Sequence, residues 1–203
     1  MSLESEFGVD YAQTQLSRER NPLRRFIKSF YLDDILRDIE GPTLDFGCGT
    51  GQLLARLPHG SVGIEVNPHL VDELRRRHLN VIKYEPDTDG FSLPDIEVGR
   101  FTTLVLSHVL EHFDNADACL KKLLASCARV GIRRVIIVVP GARGYRSDAT
   151  HRTFVTRDYL ASQNLFDYAG FHTKSTHYFP VNVEGIGEYF KFHELHTLYV
   201  RDI

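Results

Sequence analysis

The chain reads as a three-layer α/β sandwich around a mostly parallel, seven-stranded sheet, and three features carry that reading. Short apolar stretches alternate with helical patterns, the arrangement that builds parallel sheets. Arg133-Arg134-Val135-Ile136-Ile137-Val138-Val139-Pro140 is apolar almost throughout, as a strand covered on both faces must be. Leu44-Asp45-Phe46-Gly47-Cys48-Gly49-Thr50-Gly51 runs from a short strand into a glycine loop, and Gln52–Leu57 is expected to open a helix behind it.

With 203 residues, 42% apolar and 25% charged, the chain suits one domain with a sizeable core. A net charge of -3 supplies no field that would draw it to nucleic acid. No apolar run is long enough to span a bilayer and no leader pattern opens the chain, so a cytoplasmic location is expected. Cys48, Cys119 and Cys127 make no disulfide framework and read as reduced thiols.

Residues 1–20 are polar, with scattered Phe7, Val9, Tyr11 and Leu16, and read as a flexible arm or lid. Asn21-Pro22 is a helix start, an N-cap followed by proline at the first helical position. Apolar residues follow near helical spacing until Gly41-Pro42 stops them. Residues 1–40 are therefore set apart as arm and helix, and 41–203 as the core.

The glycine loop has the spacing G-x-G-x-G. Such a loop lets a ligand lie against bare main chain, and its N–H groups with the helix start favour negative charge there. A dinucleotide fingerprint needs a further glycine where Gln52 stands, so a cofactor without a pyrophosphate fits better. Ser61–Val66 is a second strand carrying Glu65, 18 residues after Gly47. A carboxylate there can accept hydrogen bonds from both hydroxyls of a ribose. Asn67-Pro68 opens a helix ending in Arg75-Arg76-Arg77-His78, read as a solvated basic face near a helix C-terminus. Asn80–Tyr84 and Phe101–Leu106 are the third and fourth strands. His108-x-x-Glu111-His112 matches an inverted zinc-protease pattern. That chemistry needs both histidines on one helix, whereas a strand runs up to Ser107 and Asp114 looks like the next helix cap.

Together with Gly63-Ile64-Glu65 and Ser107–His112, the glycine loop makes the sequence resemble the class I S-adenosylmethionine (SAM) methyltransferases. The resemblance is greatest to the small-molecule type whose first motif reads L-D-x-G-C-G-T-G, and strongest from about Thr43 to Pro140. It implies a Rossmann-like sheet of strand order 3-2-1-4-5-7-6 and SAM as cofactor. It implies transfer of a methyl group, in line with the S–CH3 bond, to an acceptor oxygen, nitrogen or carbon. Cofactor contacts are implied for Asp45, Gly47, Cys48, Gly49, Gly51 and Glu65, then Ser107 and His108 at the fourth strand's carboxyl end. Asp89-Gly90-Phe91-Ser92-Leu93-Pro94 resembles the family's adenine-contacting D-x-x-x-L-P segment, which points to Asp89 and Gly90, with Asp87 as a second candidate. The first helix would cover the cofactor, with Tyr11, Arg24 or Arg25 reaching its carboxylate. Thr102 stands where the family usually has a structural Asp.

Asn115–Val130 is a helix closed by Gly131. The polar loop 141–153 should overhang the sheet's carboxyl edge, where ligands bind in open α/β folds. Its His151 is a candidate general base, since imidazole titrates near neutrality, or else a tie within the loop. His108 is the second catalytic candidate, and His112 is expected to hold the turn. A helix from the cap Thr156 to Tyr168, ending at Gly170, precedes two strands at Phe171–Phe179 and Phe192–Val200. In the family the last of these inserts antiparallel. His172, His177, His193 and His196 alternate on strands with no acid or thiol beside them and read as surface or packing residues, so no metal is expected.

The aromatic-proline signature of exocyclic base-amine methylation is absent, and no Cys follows a Pro. With the slight negative charge, this favours a small-molecule acceptor over nucleic acid, and no membrane partner is expected. Two readings from other classes stand beside it: a non-catalytic SAM-binding scaffold or partner subunit, and an NAD(P)-dependent oxidoreductase.

Overall fold

The computed structural model of the chain describes residues 8, 13, 15–17, 22–84, 90–93 and 95–202. Its strands are β1 (Thr43–Phe46), β2 (Val62–Glu65), β3 (Val81–Lys83), β4 (Thr103–Ser107), β5 (Arg134–Pro140), β6 (Asp167–Tyr168), β7 (Phe171–Phe179) and β8 (Glu194–Val200). Its helices are α1 (Pro22–Arg37), α2 (Pro68–Arg76), α3 (Ala116–Val130), α4 (Ala142–Tyr145) and α5 (Arg157–Ser162). The strands form one sheet in the order β3-β2-β1-β4-β5-β8-β7-β6. β1 to β5 are mutually parallel, while β8 lies antiparallel between β5 and β7. The expected order is recovered, with the two-residue β6 added at one edge.

Alternation along the strands divides the core into two layers. Leu104, Leu106, Val135, Ile137 and Val139 point toward α3, whose Leu120, Leu123, Leu124 and Cys127 complete one buried cluster. Val105, Ile136, Val138 and Leu198 point the other way, against Tyr31, Leu32 and Ile35 of α1. A strand buried on both faces has no polar side to show, which is why β5 is apolar from Val135 onward.

Local chemistry sets most boundaries. Asn67 caps α2 by accepting from the His69 and Leu70 N–H groups, with Pro68 at the first helical position. Gly131 closes α3 in the left-handed conformation at φ 83°. The α3 cap position is Asn115 rather than Asp114, and no side-chain bond is made there.

Two expected helices differ. The segment after the glycine loop is a three-residue 3-10 turn, Leu54–Arg56. Pro58 forces the preceding Leu57 out of helical space, to ψ 157°, leaving too little chain for a helix. α5 stops at Ser162, well before Tyr168. Asn164 takes the left-handed conformation at φ 53°, and Leu165 N–H reaches back to Leu160 O at 2.9 Å, a Schellman-type ending. Gly170 serves a different purpose. With Ala169 it forms the positive-φ turn that joins β6 to β7.

Candidate active site

The carboxyl ends of β1, β2 and β4 open into a cavity of about 740 Å³, within the usual range for a small-molecule site. Gly47–Thr50 form its floor, and Ile27, Tyr31 and Leu32 of α1 cover it. Its far rim is aromatic, with Phe179, Phe190 and Phe192.

The three loop glycines all have positive φ but differ in what they face. A Cβ on Gly47 would stand 2.5 Å from Val109 Cγ2, and one on Gly51 would stand 2.4 Å from Leu74 Cδ2. A Cβ on Gly49 would meet nothing within 4 Å. Gly49 thus presents bare main chain to the cavity, whereas Gly51 serves packing and does not line it. Four of the loop's N–H groups are also spent inside the protein. Gly47 and Cys48 donate to Ile64 O at 2.8 and 3.0 Å, Gly51 donates to Cys48 O at 2.9 Å, and Gly49 donates to Glu65 Oε2 at 2.8 Å. The expected anion-favouring loop is therefore corrected: these donors are taken, and no α-helix starts behind them.

Carboxylates face the cavity instead. Glu65 ends β2, buried at the cavity wall, and accepts from Gly49 N and Asn67 N at 2.8 Å each. Burial raises its carboxyl above the usual range despite these bonds. Asp45 is 2% exposed, its Oδ2 has no partner among the described residues, and burial pushes it up to about 7. Cys48 is buried with its sulfur toward Gly63, and burial pushes its thiol far up, so it fills space rather than reacts.

Ser107 Oγ and the Tyr31 hydroxyl are 2.5 Å apart, tying α1 to the end of β4. His108 then turns with φ 58° and lies between two carboxylates, Glu111 Oε1 at 3.2 Å from Nδ1 and Glu194 Oε1 at 3.0 Å from Nε2. Ionised carboxylates only accept, so both ring nitrogens donate and the ring is an imidazolium. Burial opposes that charge, but Glu194 and Glu111 outweigh it and push the imidazolium up to about 10. His108, a catalytic candidate from the sequence, is thus placed as a fixed cation that holds two acids in place. A raised pKa stabilises the fold fully below the unfolded value near 6.5 and loses that effect as pH approaches 10. Thermal melting of the parent chain is expected to fall between pH 7 and 10 more steeply than that of His108→Gln.

The zinc-protease pattern is not built, since Leu110–His112 is a single 3-10 turn beyond a strand end. His151 lines the cavity beside it. Its Nδ1 donates to Tyr145 O at 2.8 Å, and its Nε2 lies 3.9 Å from Glu111 Oε1. Thr150 Oγ1 donates to Asp148 Oδ1 at 2.7 Å, so His112 Nδ1, 3.1 Å away, donates to Thr150. Arg152 N and Thr153 N donate to Glu111 O, pinning the loop after α4 against this turn.

Residues 44–132 match the family described as Methyltransferase domain. Among solved structures, a SAM-dependent methyltransferase from Archaeoglobus fulgidus aligns with a TM-score of 0.67 at 19% identity, covering 92% of this chain and 98% of that one. Magnesium protoporphyrin IX methyltransferase from Synechocystis, solved with bound SAH, aligns at 0.62 and 16% identity, covering 98% and 97%. Geranyl diphosphate C-methyltransferase from Streptomyces coelicolor aligns at 0.64 and 13% identity, covering 96% and 83%.

Residues 44–132 are thus similar in sequence to the methyltransferase-domain family, and the chain shares the fold of these solved methyltransferases. No curated protein sequence matches the chain.

The cavity gathers Asp45, Gly47, Cys48, Gly49, Glu65, Ser107 and His108 from within the matched residues, with His151 from beyond them. Gly51 and Gly90 do not line the cavity; Phe91 does, its ring tilted at 45° to that of Phe46. Asp87, Asp89, Tyr11 and the side chains of Arg24 and Arg25 lie outside the described residues. Tyr31, Lys28 and Glu194 were not foreseen. Helical spacing from Phe26 to Ile39 could have pointed to Tyr31, but Glu194 alternates inconspicuously on a strand. No described helix is long and apolar enough to cross a membrane.

Proposed function

We propose that the chain binds SAM in this cavity and transfers its methyl group to an oxygen, nitrogen or carbon of a small, largely apolar acceptor. One juxtaposition carries the reading: the bare main chain of Gly49 lies beside two buried carboxylates, Glu65 and Asp45, that the fold holds at a cost to their charge. Glu65 keeps lone pairs for two ribose hydroxyls, and unpartnered Asp45 Oδ2 suits an ammonium. The sulfonium of bound SAM supplies an electrophilic methyl group. The protein's own tasks are then to align the acceptor, exclude water and accept a proton. Phe179, Phe190 and Phe192 offer the acceptor an apolar seat, and His151 Nε2 accepts its proton. A nicotinamide dinucleotide would need free N–H donors for its pyrophosphate, and the glycine loop has used those named above.

Calorimetric titration with SAM, S-adenosylhomocysteine and NADH tests this. Saturable binding of the two adenosyl compounds supports it, and binding of NADH alone overturns it. Methylation of none of a broad acceptor panel, with binding intact, would favour the scaffold reading.

Asp45 adds a pH signature. Near pH 7 its carboxyl is half protonated, and a ligand ammonium requires it ionised. SAM affinity is therefore expected to fall toward about tenfold per pH unit below pH 7 and level off above it. In Asp45→Asn the slope should vanish when the same titration is repeated from pH 5.5 to 8.5.

A second reading has its own observation. Glu111, His112 and His151 place ligand atoms within 4.8 Å of one another, and buried Glu111 Oε2 has no partner among the described residues. A divalent cation there would orient an acceptor's oxygen in place of a base. Turnover abolished by chelator and restored by Mg2+ or Mn2+ would select this reading, and turnover indifferent to chelator would select the base.

A further inference from the structure

A second polar cluster lies away from the cavity, where α1 crosses the β7–β8 hairpin. Asp34 Oδ2 is 2.9 Å from His177 Nε2 and 2.8 Å from His196 Nδ1, so two histidines converge on one carboxylate oxygen. The two rings stack, with centroids 4.8 Å apart. None of the three residues lines the cavity. They come from three elements separated by 143 and 162 residues of chain. The sequence-based reading of these histidines, strand residues without an acid beside them, is thus corrected: α1 brings the acid.

Asp38, just past the end of α1, brings a second carboxylate to the cluster. Its Oδ2 lies 3.4 Å from His196 Nε2, so both nitrogens of His196 face carboxylates. With its proton on Nδ1, His196 donates to Asp34 and leaves buried Nε2 without a hydrogen-bond partner among the described residues. With the proton on Nε2, facing Asp38, Nδ1 carries a lone pair toward Asp34 Oδ2, and a cation shared with His177 satisfies all three groups. A histidine ligand whose other N–H donates to a carboxylate is the usual support for a bound metal. Two imidazoles and a carboxylate form a donor set of borderline softness, suited to zinc-like ions. The side chain of His177 is 31% exposed, which leaves an entry path, while His196 is enclosed.

We propose that Asp34, His177 and His196 bind one divalent cation of the zinc class, with Asp38 orienting His196 from behind. The ion staples α1 to the far hairpin. Because Tyr31 and Leu32 of the same helix cover the cavity, it also holds the cavity's roof. Closing so long a stretch of chain makes metal binding a contribution to folding.

The experiment uses the full chain stripped with chelator and titrated with Co2+, read by its visible d–d absorption, and with Zn2+, read by calorimetry and melting temperature. Expected is one tightly bound ion whose affinity falls at least about 100-fold in His177→Ala, and about 10- to 100-fold in Asp38→Asn. That ion is retained in Glu111→Gln, and Zn2+ raises the melting temperature of the parent but not of His177→Ala. Half-exposed His177 can be replaced without unfolding the chain, so this arm stands even where Asp34→Asn fails to fold. Absence of binding in the folded parent overturns the proposal and leaves a doubly protonated His196 between the two carboxylates. Binding unchanged in His177→Ala, or lost in Glu111→Gln instead, also overturns it.

Discussion

Glu65→Ala is expected to bind SAM at least about 100-fold more weakly than the parent chain while melting close to it. A charge-assisted hydrogen bond contributes about 1.5–3 kcal/mol, and the proposed ribose contact has two, so the loss reaches two orders of magnitude or more. Stability responds differently. The fold encloses Glu65 with its carboxyl above the usual range, so the ionised group opposes folding at neutral pH. Its removal relieves that burden and offsets the loss of acceptors for Gly49 N and Asn67 N. Calorimetric titration beside a melting curve checks both halves. Equal SAM affinity in Glu65→Ala would remove the cavity from consideration as the cofactor site.

The loop glycines sharpen this expectation. Gly49→Ala adds a methyl group where the protein has no atoms, so it should weaken SAM binding while costing only about 1–2 kcal/mol of left-handed strain. Gly51→Ala drives its methyl group into Leu74 and adds the same strain, and is expected to cost about 2–5 kcal/mol of stability. Binding loss tracks one glycine and unfolding tracks the other.

His151→Ala is expected to lower turnover by about 10²- to 10⁴-fold, the usual range for a lost general base, with SAM affinity unchanged. The informative partner is His151→Asn. An asparagine amide can still donate to Tyr145 O, as Nδ1 does now, but it offers no basic nitrogen. If His151 accepts the proton, both variants are equally impaired and the acid limb of the pH–rate profile disappears. If it only ties the loop, Asn restores most of the activity. Single-turnover transfer from labelled SAM to an acceptor found in the panel separates the two.

Much of the fold was legible because its signals are local. Two-residue alternation marks a strand, and a cap followed by proline marks the start of α2. Misreadings arose where two local signals competed. Leu53 to Leu57 looked helical until Pro58 is weighed, and Gly170 outranked Asn164 as a stop although Asn also adopts left-handed backbone. Thr156 was read as a cap and is one, accepting from Tyr159 N.

By itself the sequence determined the order of the parallel strands, through the resemblance, and the placing of Gly49 and Glu65 on neighbouring strand ends. It also placed His151 in a loop over the same edge. Only the tertiary structure decided the charge state of the site. His108 is a cation because Glu194 arrives from 86 residues away, and Asp34 meets His196 across 162 residues. The N–H groups of Gly47, Cys48, Gly49 and Gly51 are unavailable to a ligand because Ile64 O, Cys48 O and Glu65 take them. Protonation and hydrogen-bond capacity depend on which groups packing brings within about 3 Å, and such pairings leave no periodic trace along the chain.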